Sequence, residues 1–335
     1  MMLRSNSALV TVACGLMLCP VLLAQDPEAD WEQHLLRGQE LLQAARFPEA
    51  EKAFFEALES AEKLGRQTWP YALTLNNLAC LNTNLGRYAE AERFSGQALA
   101  LMERIGGEEN LEVALELANL GRSLFLRGQH SKAEVLYRRA LNIDLKLAGP
   151  AHPDTAAVQK NLADLLVARG QYPEAAQLYI DVLHAFEKAF GPASPQVAIA
   201  LNDLARLRQF EGSGSDAAPL LEHAVQIWAE SLGTRHPRTA LGQANLAAIY
   251  TDLNRVAKAD MLFRESLPIL EAAYGPEHPE LGTILKSYAD LLRKRHRERE
   301  AKEVSKRARA LMERAFEENP AARQMIDVRD LRYRN

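Results

Sequence analysis

Cysteine is almost missing from this chain. Its 335 residues include three, and two of them, Cys14 and Cys19, fall in an apolar N-terminal stretch. Beyond that stretch only Cys80 remains, so no internal disulfide can form there and packing must supply the stability. Aromatic residues are sparse, at 7%, which leaves Leu, Ala, Glu and Arg dominant. These side chains lose little rotamer freedom in a helix, so the composition favours an all-helical fold. Charge is nearly balanced: the formal net charge is -4, and no global field draws nucleic acid. There is no Gly-rich phosphate loop, no His-Glu-x-x-His, no cysteine pair and no serine elbow. With those motifs absent, no catalytic residue, cofactor or metal is expected, and function is sought on the surface.

Long apolar runs are also absent, with one exception. After Arg4 the chain is weakly polar to apolar from Ala8 to Ala24, then turns acidic at "QDPEAD". A basic start, an apolar middle and a small residue before the cut describe a secretory signal over 1–24, cleaved after Ala24. Residues 25–30 would then be a linker, and the mature protein periplasmic or secreted. The alternative is an uncleaved membrane anchor. The run has 17 residues and contains Pro20, short for a span that needs about 20. A lipoprotein fits less well, because Leu18 precedes Cys19 where a small residue is wanted.

A repeat is what the sequence does contain. From Asn77, steps of 42 residues reach Asn119, Asn161, Asp203, Asn245 and Ser287. Two residues on, each register has a small side chain: Ala79, Gly121, Ala163, Ala205, Ala247 and Ala289. Twelve further come Ala91, Ala133, Ala175, Ala217, Ala259 and Ala301, and four after these often a large one: Tyr137, Tyr179, Leu221, Phe263. An earlier unit, one residue out of step, carries Gly38, Ala50, Phe54 and Ala57. The array is therefore seven units, about 31–66, 71–106, 113–148, 155–190, 197–232, 239–274 and 281–316, followed by a tail, 317–335.

Within a unit the apolar period is helical. Ala175, Leu178, Tyr179, Val182, Leu183 and Phe186 make one stripe. A glycine at 86, 128, 170 or 212 can take the left-handed conformation that ends a helix. Each unit then reads as a helix–turn–helix hairpin, with small residues where two helices cross closely and the large one beside the crossing.

This pattern resembles the tetratricopeptide repeat over nearly all of the chain after residue 30. Its 42-residue period and its loop, Gly-Pro-x-His-Pro at 149–153 and 275–279, are similar to the kinesin light chain variety. The resemblance implies an all-α right-handed superhelical solenoid; the N-terminal export signal and the absence of a coiled-coil heptad segment point to a bacterial exported relative and not a motor subunit. The resemblance also implies a concave groove in which Asn77, Asn119, Asn161 and Asn245 bond the backbone of an extended peptide. Asp203 departs from that row and adds a charge. An amide both donates and accepts, which suits a strand-like ligand. The alternative is that each Asn bonds the neighbouring hairpin. One residue before the row stand Asn76, Lys160, Asn202 and Lys286, and three after it Arg122, Asp164, Arg206 and Asp290. Of these, Arg122, Lys160 and Arg206 are candidates to hold acidic ligand side chains; a solvated groove is the alternative.

The loop histidines, His152, His236 and His278, are the best metal candidates, and Ser194 breaks their series. Packed helices lie about 8–10 Å apart, so histidines a whole hairpin apart cannot share an ion that needs ligands at about 2 Å. Their place before a proline fits a helix start instead.

Departures mark special places. "EGSGSDAAP" in the fifth unit reads as the loosest joint, and Pro268 as a kink in the sixth. From Arg293 to Ala310 nine Lys/Arg face three Glu, a net of +6 that leaves the rest of the chain at -10. A terminal repeat has a face without a neighbour, so this segment reads mainly as a water-compatible cap. The tail "QMIDVRDLRYRN" is either a frayed terminus or an extended strand for a partner or for the groove. The expected function is non-catalytic protein or peptide binding. A structural part of a cell-envelope assembly and a regulatory subunit of an enzyme are the alternatives.

Overall fold

The computed structural model describes residues 26–44, 46–278 and 280–318. The expected signal segment lies outside them, and so does the tail from 319 onward. Among the described residues fourteen helices follow one another in seven helix–turn–helix pairs, as the repeat implies. They are α1 (Pro27–Gln43) with α2 (Phe47–Leu64), α3 (Trp69–Asn84) with α4 (Tyr88–Gly106), and α5 (Leu111–Leu126) with α6 (His130–Leu147). Next come α7 (Pro153–Ala168) with α8 (Tyr172–Phe190), and α9 (Pro195–Phe210) with α10 (Gly214–Leu232). The last pairs are α11 (Pro237–Asp252) with α12 (Val256–Tyr274), and α13 (Glu280–Lys294) with α14 (Glu298–Glu318). No described helix is long and apolar enough to cross a membrane.

The loop between pairs is built to start a helix. His152 and His236 are N-caps whose Nδ1 accepts the backbone N–H two residues on, at 3.3 and 3.1 Å. His278 Nδ1 accepts from Glu280 N in the same way. Asn110 and Ser194 fill the role with a side-chain oxygen, accepting from Val113 N and Val197 N. Each satisfies an amide that the first helical turn leaves unpaired. Pro153, Pro195 and Pro237 follow directly as first helical residues, where a missing N–H costs nothing. The imidazoles are therefore engaged as caps.

From the second pair to the seventh, the turn inside each pair has one conformation. Gly86, Gly128, Gly170 and Gly212 have φ of 71–81°, and the next amide bonds back to the carbonyl five residues earlier. In the sixth and seventh pairs Asn254 and His296 take the same left-handed place, at φ 58° and 59°. The fifth pair is no exception. Ser213 has φ -92° and ψ 58°, against -89° and 59° for Gln171, so the expected loosest joint keeps the common turn. Hydrogen bonding, not the surrounding composition, sets that geometry. α12 continues through Pro268 to Tyr274.

Small and large residues meet as the register requires. The Phe54 ring lies against Gly38 and the Tyr137 ring against Gly121, so close that a Cβ on either glycine would fall within 3 Å of it. Tyr137, Tyr179 and Phe263 are fully buried, with Ala133, Ala175 and Ala259 beside the crossings. Burying such a side chain stabilises by about 1.5–3 kcal/mol. The core is thus a long row of similar local packings, each shared with the next pair.

Charge ties successive pairs on the outer side. Arg87 meets Glu51, Arg139 meets Glu103 and Arg307 meets Glu271, at 2.5–2.6 Å. Arg127 with Glu92, Arg169 with Glu134 and Arg295 with Asp260 repeat the tie. The basic last pair is therefore fastened to its neighbour as well as facing water.

Candidate functional site

The odd-numbered helices form the inner wall. The backbones of α1 and α3, α3 and α5, α5 and α7, and α11 and α13 approach one another closely, whereas the even-numbered helices meet only through long side chains such as Arg139 with Glu103 and Arg307 with Glu271. Helices that crowd along one side make that side concave. The α9 backbone comes less close to α7 and α11. Charged side chains fill the first of those seams and a cavity of about 330 Å³ the second. The α11 residues that line the cavity include Leu241, Asn245 and Ala248, which share one helical stripe and are not buried. Forty-two residues earlier stand Ile199, Asp203 and Arg206, then Ala157, Asn161 and Asp164, then Leu115, Asn119 and Arg122, then Leu73, Asn77 and Cys80.

The amide row divides into two kinds. Asn77 is engaged: its Nδ2 donates to the Leu73 carbonyl at 2.8 Å and its Oδ1 accepts from Gln39 Nε2 at 3.2 Å. Asn119 and Asn161 are half-buried and Asn245 is exposed. None of these three has a side-chain hydrogen bond among the described residues. Asn76 turns instead to Glu116 of the next pair, donating to its Oε2.

Asp203 belongs to a clasp of charges that sequence spacing alone did not reveal. Arg206 Nη2 donates to Asp164 Oδ1 at 2.6 Å, and Lys160 Nζ to Asp164 Oδ2 at 2.7 Å. Tyr179 OH donates to the same Oδ1 at 2.5 Å. Asp203 lies 3.4 Å from Lys160 and 3.5 Å from Arg206, and its Oδ2 has no hydrogen-bond donor. Two carboxylates thus balance two cations across α7, α8 and α9. Burial works against the Asp164 charge, yet Arg206, Lys160 and the two hydrogen bonds hold its carboxyl below the usual range. For Asp203 burial prevails over the same two cations, and the carboxyl is pushed up. Burial and the Asp164 charge push the Tyr179 hydroxyl up, so it keeps its proton. Lys160 and Arg206 are accordingly occupied with partners inside the protein. Tyr179 was legible only as a core residue; the i, i+4 pair Lys160–Asp164 was the available signal.

Arg122 differs. It is exposed and has no ion pair or hydrogen bond among the described residues. Its charge is felt by Cys80, whose thiol burial pushes up, and by Tyr137.

Stacked helical hairpins with an amide-lined concave wall define a helical-repeat scaffold. The chain belongs to the tetratricopeptide repeat family: the family model matches residues 70–146, 112–188, 154–213, 196–272 and 243–314. No curated protein matches the chain. Among solved structures it is similar to the nearly identical TPR-like repeats assigned to a kinesin light chain of Podosopora anserina. That match has 26% identity and a TM-score of 0.54, over 60% of this chain and 94% of that one. It is similar in fold to BtubC (BKLC) from P. vanneervenii, at 20% identity and TM-score 0.56, over 74% and 92% of the two chains. The Rap conjugation gene regulator of plasmid pLS20, solved in complex with the Phr* peptide, shares the fold at 15% identity and TM-score 0.59, over 88% and 77%.

Proposed function

We propose that this protein is a non-catalytic scaffold of the kinesin-light-chain repeat kind, and that its concave groove holds an extended peptide segment. The observation that carries this reading is the set of unpaired amides, Asn119, Asn161 and Asn245, along the inner wall. A half-buried amide without a partner is a donor and an acceptor awaiting one, and the unmet backbone pairs of a strand supply both. The peptide in the Rap complex gives this fold a precedent for the kind of ligand. Asn77, already bonded inside the array, contributes shape rather than a free amide. Residues 1–24 direct export, and the scaffold acts outside the cytoplasm.

The test is the variant carrying Asn119→Ala and Asn161→Ala, used to capture crosslinked partners from the native cell envelope. Capture is expected to disappear while thermal stability barely moves. A variant that loses stability instead would show the amides to be structural, and the groove reading would fail. N-terminal sequencing of the mature protein should begin at Gln25; a protein beginning at Met1 contradicts cleavage.

A further inference from the structure

The fifth pair, α9 with α10, is joined to its neighbours unlike the others. Elsewhere on the outer side the ties recur: Arg87 with Glu51, Arg127 with Glu92, Arg169 with Glu134 and Arg295 with Asp260. Among the described residues no ion pair joins α8 to α10 or α10 to α12. The register shows why. Glu211 and Leu253 stand where Arg127, Arg169 and Arg295 stand, and Ala176 and Ala218 where the acidic partners do. On the inner side the α9 backbone comes less close to its neighbours as well. Between the fourth and fifth pairs apolar packing remains: α8 lies on α9, with Leu162, Leu204 and Leu207 in one core and the Tyr172 ring stacked on Phe210. Such packing is non-directional and lets helices slide by small amounts. The clasp is what fixes their spacing. Arg206 of α9 reaches Asp164 of α7, and Lys160 of α7 stands beside Asp203 of α9. Beyond α9 the cavity against α11 and α13, with its mostly polar lining, leaves it room to move. The clasp is also releasable: Asp203 Oδ2 has no donor, and the cost of drying charges offsets much of their attraction.

We propose that the junction between the fourth and fifth pairs is the hinge of the solenoid, and that the clasp is its latch. In a stacked array each repeat touches only its neighbours, so bending collects at the junction with the fewest fixed contacts. With the clasp closed, the seven pairs keep one curvature. With it open, the last three pairs swing against the first four, and the groove changes width. The hinge is a property of the array itself and needs no ligand in the groove.

Spin-label distances test this on the full chain, with the native cysteines changed to Ser. One label pair, from Ala100→Cys and His184→Cys, spans α4 to α8. The other, from Asn142→Cys and Gln226→Cys, spans α6 to α10 and crosses the hinge. All four sites are exposed and stand in register. Both distance distributions are expected to be narrow in the parent. Asp164→Asn with Arg206→Gln removes one charge of each sign and opens the latch. It should broaden the α6–α10 distribution about twofold and leave α4–α8 unchanged. Adding Ala176→Glu and Glu211→Arg rebuilds here the tie that Glu134 and Arg169 make one junction earlier, and should narrow the distribution again. An α6–α10 distribution that is broad in the parent, or unchanged in the latch variant, overturns the proposal. So does equal broadening of both spans, which would make the clasp a general prop, or a rebuilt tie that leaves the α6–α10 distribution broad.

Discussion

Glu116 sets a pH dependence that can be worked through. It is fully buried on α5, at a position where other inner helices place Val158, Ala200 or Ile284. Its Oε2 accepts from Asn76 of the preceding pair, while its Oε1 has no donor. Burial raises its carboxyl to about 7 from 4.5, against the opposing pull of Ser95 and Asn76. The Ser95 hydroxyl is near enough to ease the charge but does not complete a hydrogen bond to Oε1. Because the folded value lies above the unfolded one, the folded state holds the proton more tightly. Its stabilising effect is full below pH 4.5 and is lost as pH rises to about 7. A shift of that size amounts to about 3 kcal/mol. The variant Glu116→Gln keeps an acceptor for Asn76 and carries no charge. It should match the parent near pH 4.5 and exceed it by about 3 kcal/mol above pH 7. A repeat array opens in pieces, so hydrogen exchange of the α3–α5 amides is the suitable readout. A difference that does not change with pH, or a parent that is the more stable at pH 8, would refute the reasoning.

Two further predictions concern packing. Arg206→Met leaves the two clasp carboxylates facing Lys160 alone. It should cost about 2 kcal/mol in urea unfolding, after allowance for the third of the side chain that water reaches; an unchanged midpoint would mean that the clasp adds nothing to stability. Gly121→Ala places a Cβ 2.8 Å from Tyr137 Cε1, and should lower stability by about 1–3 kcal/mol, whereas the same change at an open exposed glycine such as Gly96 should not.

The fold was legible because each repeat writes its own rules. Ala79, Gly121 and Ala163 recur where helices cross, Gly86 to Gly212 recur where a left-handed turn is needed, and the histidines precede proline where a helix starts. All of these act within one hairpin or between adjacent ones, so periodicity exposes them. The groove was legible only in outline. The amides Asn77 and Asn119 look alike in sequence, yet one meets Gln39 from a pair that is out of register and the other has no side-chain hydrogen bond among the described residues. Lys160 and Arg206 look like free cations until α7, α8 and α9 bring Asp164 and Asp203 to them. Whether a groove charge is available depends on the distance between helices, which no spacing along the chain records.

The most direct measurement of the central claim is the NMR response of the asparagine side-chain amides, with selectively labelled asparagine, on adding a captured partner segment. Asn119, Asn161 and Asn245 should shift while Asn77 stays close to its free position. Shifts confined to residues on the even-numbered helices, with all four groove amides unmoved, would contradict the account.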